Sequence, residues 1–144
     1  MTPLRRLWTT FVPQPVTGWP RVSWRGGGSP DDADAVVAFS FVMYFTAYRA
    51  RLGVDPPPIV RPILVVFHQG ESVNRRGDKA TMVEGKLSVS TSRPDDEVVR
   101  LIGHELLHYH QDMLTGDPDR GHRVDGFKDI PHMMTNPDHR GWRR

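Results

Sequence analysis

Cysteine is absent from the 144 residues, which excludes disulfides and any thiolate metal site. Glutamate is scarce too: Glu71, Glu84, Glu97 and Glu105 are the only four, and none follows Glu105. Neither sign of charge dominates, since 19 Lys and Arg stand against 17 Asp and Glu for a formal net charge of +2. The broad basic field of a charge-driven nucleic-acid binder is therefore missing. Long apolar runs are also lacking. The longest, Ala35 to Tyr48, extends about fourteen residues where a bilayer span needs about twenty. Arg5 and Arg6 precede an apolar stretch from Leu7 to Val12, but Pro13 and Pro15 interrupt it before a signal-peptide core could form. These absences predict a cytoplasmic protein without a membrane partner. A mass of 16.4 kDa fits one domain rather than two.

Against this background stands Leu101-Ile102-Gly103-His104-Glu105-Leu106-Leu107-His108, which contains a His-Glu-x-x-His pentad. On a helix of about 3.6 residues per turn, His104 and His108 share one face, so their imidazoles can converge on a single ion. Glu105 is rotated about 100° from His104, beside the ion, where a carboxylate can act as proton acceptor. The flanking Val98, Val99, Leu101, Ile102, Leu106 and Leu107 predict a helix running through the motif. Ser92 or Asp95 is its expected cap, Pro94 suits the first turn, and Thr115-Gly116-Asp117-Pro118 is the expected stop. The competing reading is a buried helix whose histidines only satisfy one another.

The third ligand has to come from elsewhere. No glutamate lies downstream, and the Gly and His that a metzincin spacing requires at 111 and 114 are Gln111 and Leu114. His110 points about 200° around the helix from His108 and is expected to be partly exposed. Asp112 is on the ligand face but about 12 Å along the axis from His104, out of reach while the helix continues. Gly121-His122-Arg123-Val124-Asp125-Gly126-Phe127 remains, reached through a link in which Gly116, Pro118 and Gly121 can turn the chain back. His122 leads. Asp125 is the alternative, as third ligand or as an acceptor orienting an imidazole N–H.

With these residues in place, the C-terminal third resembles the SprT-like zinc metallopeptidases, in which a His-Glu-x-x-His helix is followed by a third histidine in a His-Gly-x-x-Phe type segment. His104, Glu105, His108, His122 and Phe127 take those positions; Arg123 stands where that pattern has glycine, and the aromatic comes later. The resemblance implies a zincin-like fold, a Zn²⁺ cofactor on three histidines, Glu105 as general base and a protein or peptide substrate. Zincins generally bind extended substrate along an edge strand above the metal helix, which implies Leu87, Ser88, Val89 and Ser90 here. The zinc ribbon found in some relatives cannot be built without cysteine. Others act on DNA-bound proteins.

Residues 1–30 are rich in Pro, Gly, Arg and Trp and read as a basic arm and linker, leaving 31–144 as the catalytic domain. Arginine interleaved with Trp8, Trp19 and Trp24 offers a weak nucleic-acid contact by charge and stacking; packing of the tryptophans as an irregular cover is the preferred reading. Arg140-Gly141-Trp142-Arg143-Arg144 reads as a solvated basic tail. Asp31 to Leu52 has the pattern of a buried core helix, Ile63 to Phe67 that of a central strand, and Thr81–Val83 with Lys86–Ser90 that of a hairpin around Glu84-Gly85. Met133 and Met134 suit a core gap better than a metal floor. His132, His139 and Tyr109 are equal candidates for stabilising an oxyanion.

The combined expectation is a single-domain α+β zincin-like fold, with a small mixed or antiparallel sheet packed on an N-terminal core helix and a C-terminal active-site helix. Peptide-bond hydrolysis is the expected activity. A catalytically silent module binding nucleic acid or protein, and a zinc hydrolase of a non-peptide amide, are the alternatives.

Overall fold

The computed structural model describes residues 22–25, 33–59, 61–118, 122–123, 126 and 128–143. In chain order these form β1 (Val22–Arg25), α1 (Ala33–Leu52), β2 (Ile63–His68), β3 (Ala80–Val83), β4 (Lys86–Ser90), α2 (Asp95–Thr115), α3 (Ile130–Met133) and a 3₁₀ turn (Arg140–Trp142). The class is mixed α+β, a small mixed sheet with an N-terminal core helix and a C-terminal helix carrying the pentad, as expected.

Helix α1 is buried along most of its length because its apolar residues do not keep to one stripe: Val36, Val37, Phe39, Phe41, Met43, Tyr44, Ala47 and Tyr48 are all in the core. Its interior hydroxyls turn back on the helix, Ser40 donating to the Val36 carbonyl at 2.6 Å and Thr46 to Val42 at 2.8 Å. The helix ends where the Gly53 N–H bonds the Arg49 carbonyl at 2.9 Å.

The sheet order is β1-β2-β4-β3, parallel between β1, β2 and β4 and antiparallel between β4 and β3. Alternation along β2 buries Ile63, Val65 and Phe67 and leaves Leu64, Val66 and His68 half-buried. The register sets Leu87 opposite Val65 and Val89 opposite Phe67, so these four share one apolar face. Glu84 and Gly85 join β3 to β4 with φ of 49° and 80°, a two-residue turn with both residues left-handed, whose twist matches the strands it connects.

Two sequence expectations are corrected by this topology. Val22–Arg25 belongs to the sheet, paired with Ile63–Val66, so the domain begins inside the stretch assigned to the arm. The remainder of that arm lies outside the described residues. Leu87, Ser88, Val89 and Ser90, expected as a substrate-binding edge, form an interior strand with β2 on one side and β3 on the other. Their backbone groups are already committed to two neighbours, so a substrate strand has nothing to pair with there.

Helix α2 packs on α1, β3 and β4. Its start differs from expectation: Pro94 is the capping residue, its carbonyl accepting from Glu97 and Val98 N–H at 3.0 and 3.1 Å, with no side-chain cap. Ser92 instead accepts from Gly70 N–H at 2.9 Å. Asp95, Asp96 and Glu97 complement the positive end, and Arg93–Glu97 and Arg100–Asp96 pairs at 3.0 and 3.1 Å brace the first turns. The helix stops at Gly116, whose φ of 77° lets its N–H reach the Asp112 carbonyl at 2.8 Å. It therefore runs through the pentad without a break.

The C-terminal segment returns over both helices. Trp142 Nε1–H donates to the Met133 and Asn136 carbonyls at 3.1 and 3.0 Å, while Met133 and Met134 are fully buried. The Met134 Sδ occupies the space that a Cβ on Gly103 would need. Methionine fills a core gap here, as the sequence suggested. Replacing Gly103 by Ala should thus destabilise the fold by about 1–2 kcal/mol in denaturant melts, because overpacking outweighs the helix propensity gained. A stabilised variant would show that Met134 yields its position freely.

Candidate metal centre

His104 and His108 are half-buried on one face of α2, one turn apart, and His122 comes in from the segment beyond the helix. Each offers Nε2 to the others. His108 Nε2 is 3.1 Å from His104 Nε2 and 3.1 Å from His122 Nε2, and the three ligand atoms all lie within 4.8 Å of one another. The ring centroids are 4.7, 4.7 and 5.0 Å apart.

Hydrogen bonding fixes the tautomer at the centre of this cluster. His108 Nδ1–H donates to the Pro118 carbonyl at 2.6 Å, which leaves Nε2 with a bare lone pair directed at the other two rings. That one in-plane lone pair can accept in line from at most one of the two ring nitrogens 3.1 Å away. One cation between three imidazoles satisfies all of them. Nitrogens at about 2.0–2.1 Å from a tetrahedral zinc stand about 3.3–3.4 Å from each other, close to the two separations found. The donor set and spacing therefore fit a metal ion; imidazole nitrogen suits several transition metals, zinc among them.

The electrostatics point the same way. Burial, followed by the proximity of His108 and then His122, pushes the His104 imidazole down to about 4. The ring is thus neutral, the form that ligates, across the physiological range. His122 carries φ of 52°, a left-handed conformation uncommon outside glycine though tolerated better by histidine than by most residues. The bond from His108 to Pro118 also ties the returning chain to the helix, four residues before His122.

Of the other sequence candidates, Glu105 follows His104 on α2 and is half-buried. Asp112 is exposed beyond the cluster on an unbroken helix and joins no metal group. Asp125 and Phe127 lie outside the described residues. His132 and His139 stack on each other at 6.1 Å, and His139 Nε2 is 4.0 Å from Asp129. Among the described residues the potential metal cluster comprises His104, His108 and His122 alone.

His110 corrects an expectation. It is fully buried rather than partly exposed, accepting from Tyr44 Oη–H at Nδ1 (2.6 Å) and donating from Nε2 to the Pro57 carbonyl (2.9 Å). Burial lowers its imidazole to about 4, partly offset by the Pro57 bond, so it is a neutral core residue that joins α2 to α1. Rotation about the helix axis showed that it left the metal face; that α1 covers the opposite face is a tertiary fact.

Next to the cluster is a cavity of about 510 Å³ that the sequence did not disclose, lined by His122, Arg51, Arg123, Gly126, Lys128, Asp129 and Arg140. Arg51 Nε bonds Asp129 Oδ2 at 2.8 Å, and Arg140 lies 3.7 Å from Asp129 Oδ1. These residues come from three separated segments, with no periodicity to link them.

Comparison of the chain with family models, with curated proteins and with solved structures gave no match. Among the described residues, no helix is long and apolar enough to cross a membrane.

Proposed function

We propose that this chain is a zinc-dependent metallopeptidase of SprT-like type that hydrolyses peptide bonds. The observation that carries the reading is the convergence of His104, His108 and His122, with His108 locked by Pro118 in the tautomer that presents Nε2. Zinc, when bound, would polarise the scissile carbonyl and acidify a water. Glu105, one residue along from His104, is the general base that takes the proton of the attacking water and returns it to the leaving amine. The exposed edge of His122 leaves the cluster open to a substrate. The buried side of α2, anchored through His110 and Tyr44, holds both pentad histidines in register.

The first test is stoichiometric. Purified protein should hold one equivalent of zinc, and joint replacement of His104 and His108 by Ala should abolish it. His122→Ala should weaken binding by more than the ~10–100-fold that loss of an outer-shell contact costs. Protein that cannot be loaded with zinc would overturn the proposal, and full affinity in His122→Ala would remove that residue from the site.

A further inference from the structure

A neutral imidazole left to itself carries its proton mostly on Nε2, the nitrogen that His108 turns toward its two partners. The Pro118 carbonyl reverses that preference by accepting from Nδ1–H at 2.6 Å. A carbonyl does this only while it is held in place, and Pro118 lies beyond the end of α2, half-buried and ten residues from His108. Whatever holds it therefore acts on the metal centre.

The link from helix to carbonyl is Gly116-Asp117-Pro118, and each residue in it is constrained. Gly116 takes φ of 77° and bonds the Asp112 carbonyl at 2.8 Å, which turns the chain off the helix in one direction. A Cβ there would meet nothing within 4 Å, so the glycine serves its torsion and not a lack of space. Pro118 locks its own φ and keeps Asp117 out of the helical region. What freedom remains lies in how Asp117 leaves the turn, and the Thr115 hydroxyl closes it. Its oxygen accepts from the Asp117 N–H at 3.1 Å. Its single proton goes to the Gln111 carbonyl at 2.7 Å, nearer than the Asp117 carbonyl at 3.0 Å. Asp117 is thus tied through Thr115 to Gln111, a buried residue of α2. The line of contacts runs from Gln111 through Thr115 and Asp117 to the Pro118 carbonyl and His108. We propose that Thr115 is a positioning residue that sets the tautomer and orientation of His108, and through them the strength of metal binding. The inference rests on the metal-binding half of the proposed function and not on the peptidase.

Thr115 is exposed, so Thr115→Val removes the hydroxyl at nearly constant shape and helix propensity, while Thr115→Ser keeps it. Two quantities are read on the full chain. One is the set of nitrogen NMR shifts of the His108 ring in metal-free protein, in mildly alkaline buffer where imidazole is neutral. The other is the affinity for Zn²⁺, by competition with a chromophoric chelator. The native chain and Thr115→Ser should carry the His108 proton on Nδ1. Thr115→Val should move a large share of it to Nε2 and weaken zinc about tenfold, the lower end of the ~10–100-fold that losing an outer-shell partner costs, because the carbonyl is loosened rather than removed. Helix content and urea midpoint should stay near native in both variants. An unchanged tautomer and affinity in Thr115→Val overturns the proposal and leaves the metal centre standing. A tautomer shift in a chain whose native form takes up no zinc keeps the lock on His108 and removes the metal reading. Weaker zinc binding with the tautomer unmoved, or a loss that Thr115→Ser fails to restore, assigns the effect to fraying of the helix end and overturns the proposal as well.

Discussion

Glu105→Gln should reduce peptide hydrolysis by about 10²–10⁴-fold while leaving one equivalent of zinc in place. The amide keeps the size of the side chain and a good helix propensity, so α2 and the burial of Leu106 and Leu107 beside it are undisturbed. What disappears is the capacity to take a proton from water and return it to the leaving amine, which the proposed role of Glu105 requires. A metal held by the three imidazoles would stay, because none of them is altered. The measurement is kcat/KM on an unstructured protein substrate, with metal content determined on the same sample. Activity within a few-fold of the native chain would remove Glu105 as the base. Loss of activity together with loss of zinc would instead make its contribution structural. A drop in kcat with little change in KM is the signature of a group that acts in the transition state.

The pentad, its helix and the fold class were legible because they depend on local periodicity. Apolar positions from Val98 to Leu107 recur at helical spacing, Gly116 ends the helix, and Glu84-Gly85 marks a hairpin, all within a few residues of chain. His122 was reached by elimination, and the structure places it with its two partners. What remained hidden depends on contacts between distant segments. Val22–Arg25 is four residues long and set in a Pro- and Gly-rich stretch, and only its pairing with β2 reveals it as a strand. Alternation identified β4 correctly, yet strand order is decided by the parallel pairing of Leu64–His68 with Lys86–Ser90, which moves β4 from the edge to the interior. The burial of His110 depends on Tyr44, 66 residues earlier. The expected caps of α2 failed for a similar reason: Ser92 is drawn to Gly70, 22 residues away, and the Pro94 carbonyl closes the first turn instead.

The Arg51–Asp129 pair is the most consequential of these distant contacts for stability, and Asp129→Ala should cost about 3 kcal/mol of unfolding free energy. The two side chains are only 9% and 13% exposed, and their 2.8 Å bond fastens the end of α1 to the residue preceding α3. Removing the carboxylate leaves a guanidinium at a site with little access to water, where desolvation is no longer offset by the Asp129 charge. The Arg51 hydrogen bond is the largest influence holding the Asp129 carboxyl below its ordinary value of 3.8; burial opposes it, while the Arg51, Arg140 and His139 charges reinforce it. The sign of the pH dependence follows. Because the folded-state value is depressed, the contribution is complete above the unfolded value and disappears as pH falls through the folded one. Native and Asp129→Ala chains should therefore differ by a constant amount near neutrality and converge in acid below about pH 4. Urea melts of both proteins from neutrality down to pH 3 measure this directly. A constant gap throughout would assign the loss to packing rather than charge. The combined change Arg51→Met with Asp129→Leu should recover most of the lost stability, since an apolar pair of similar volume carries no desolvation penalty.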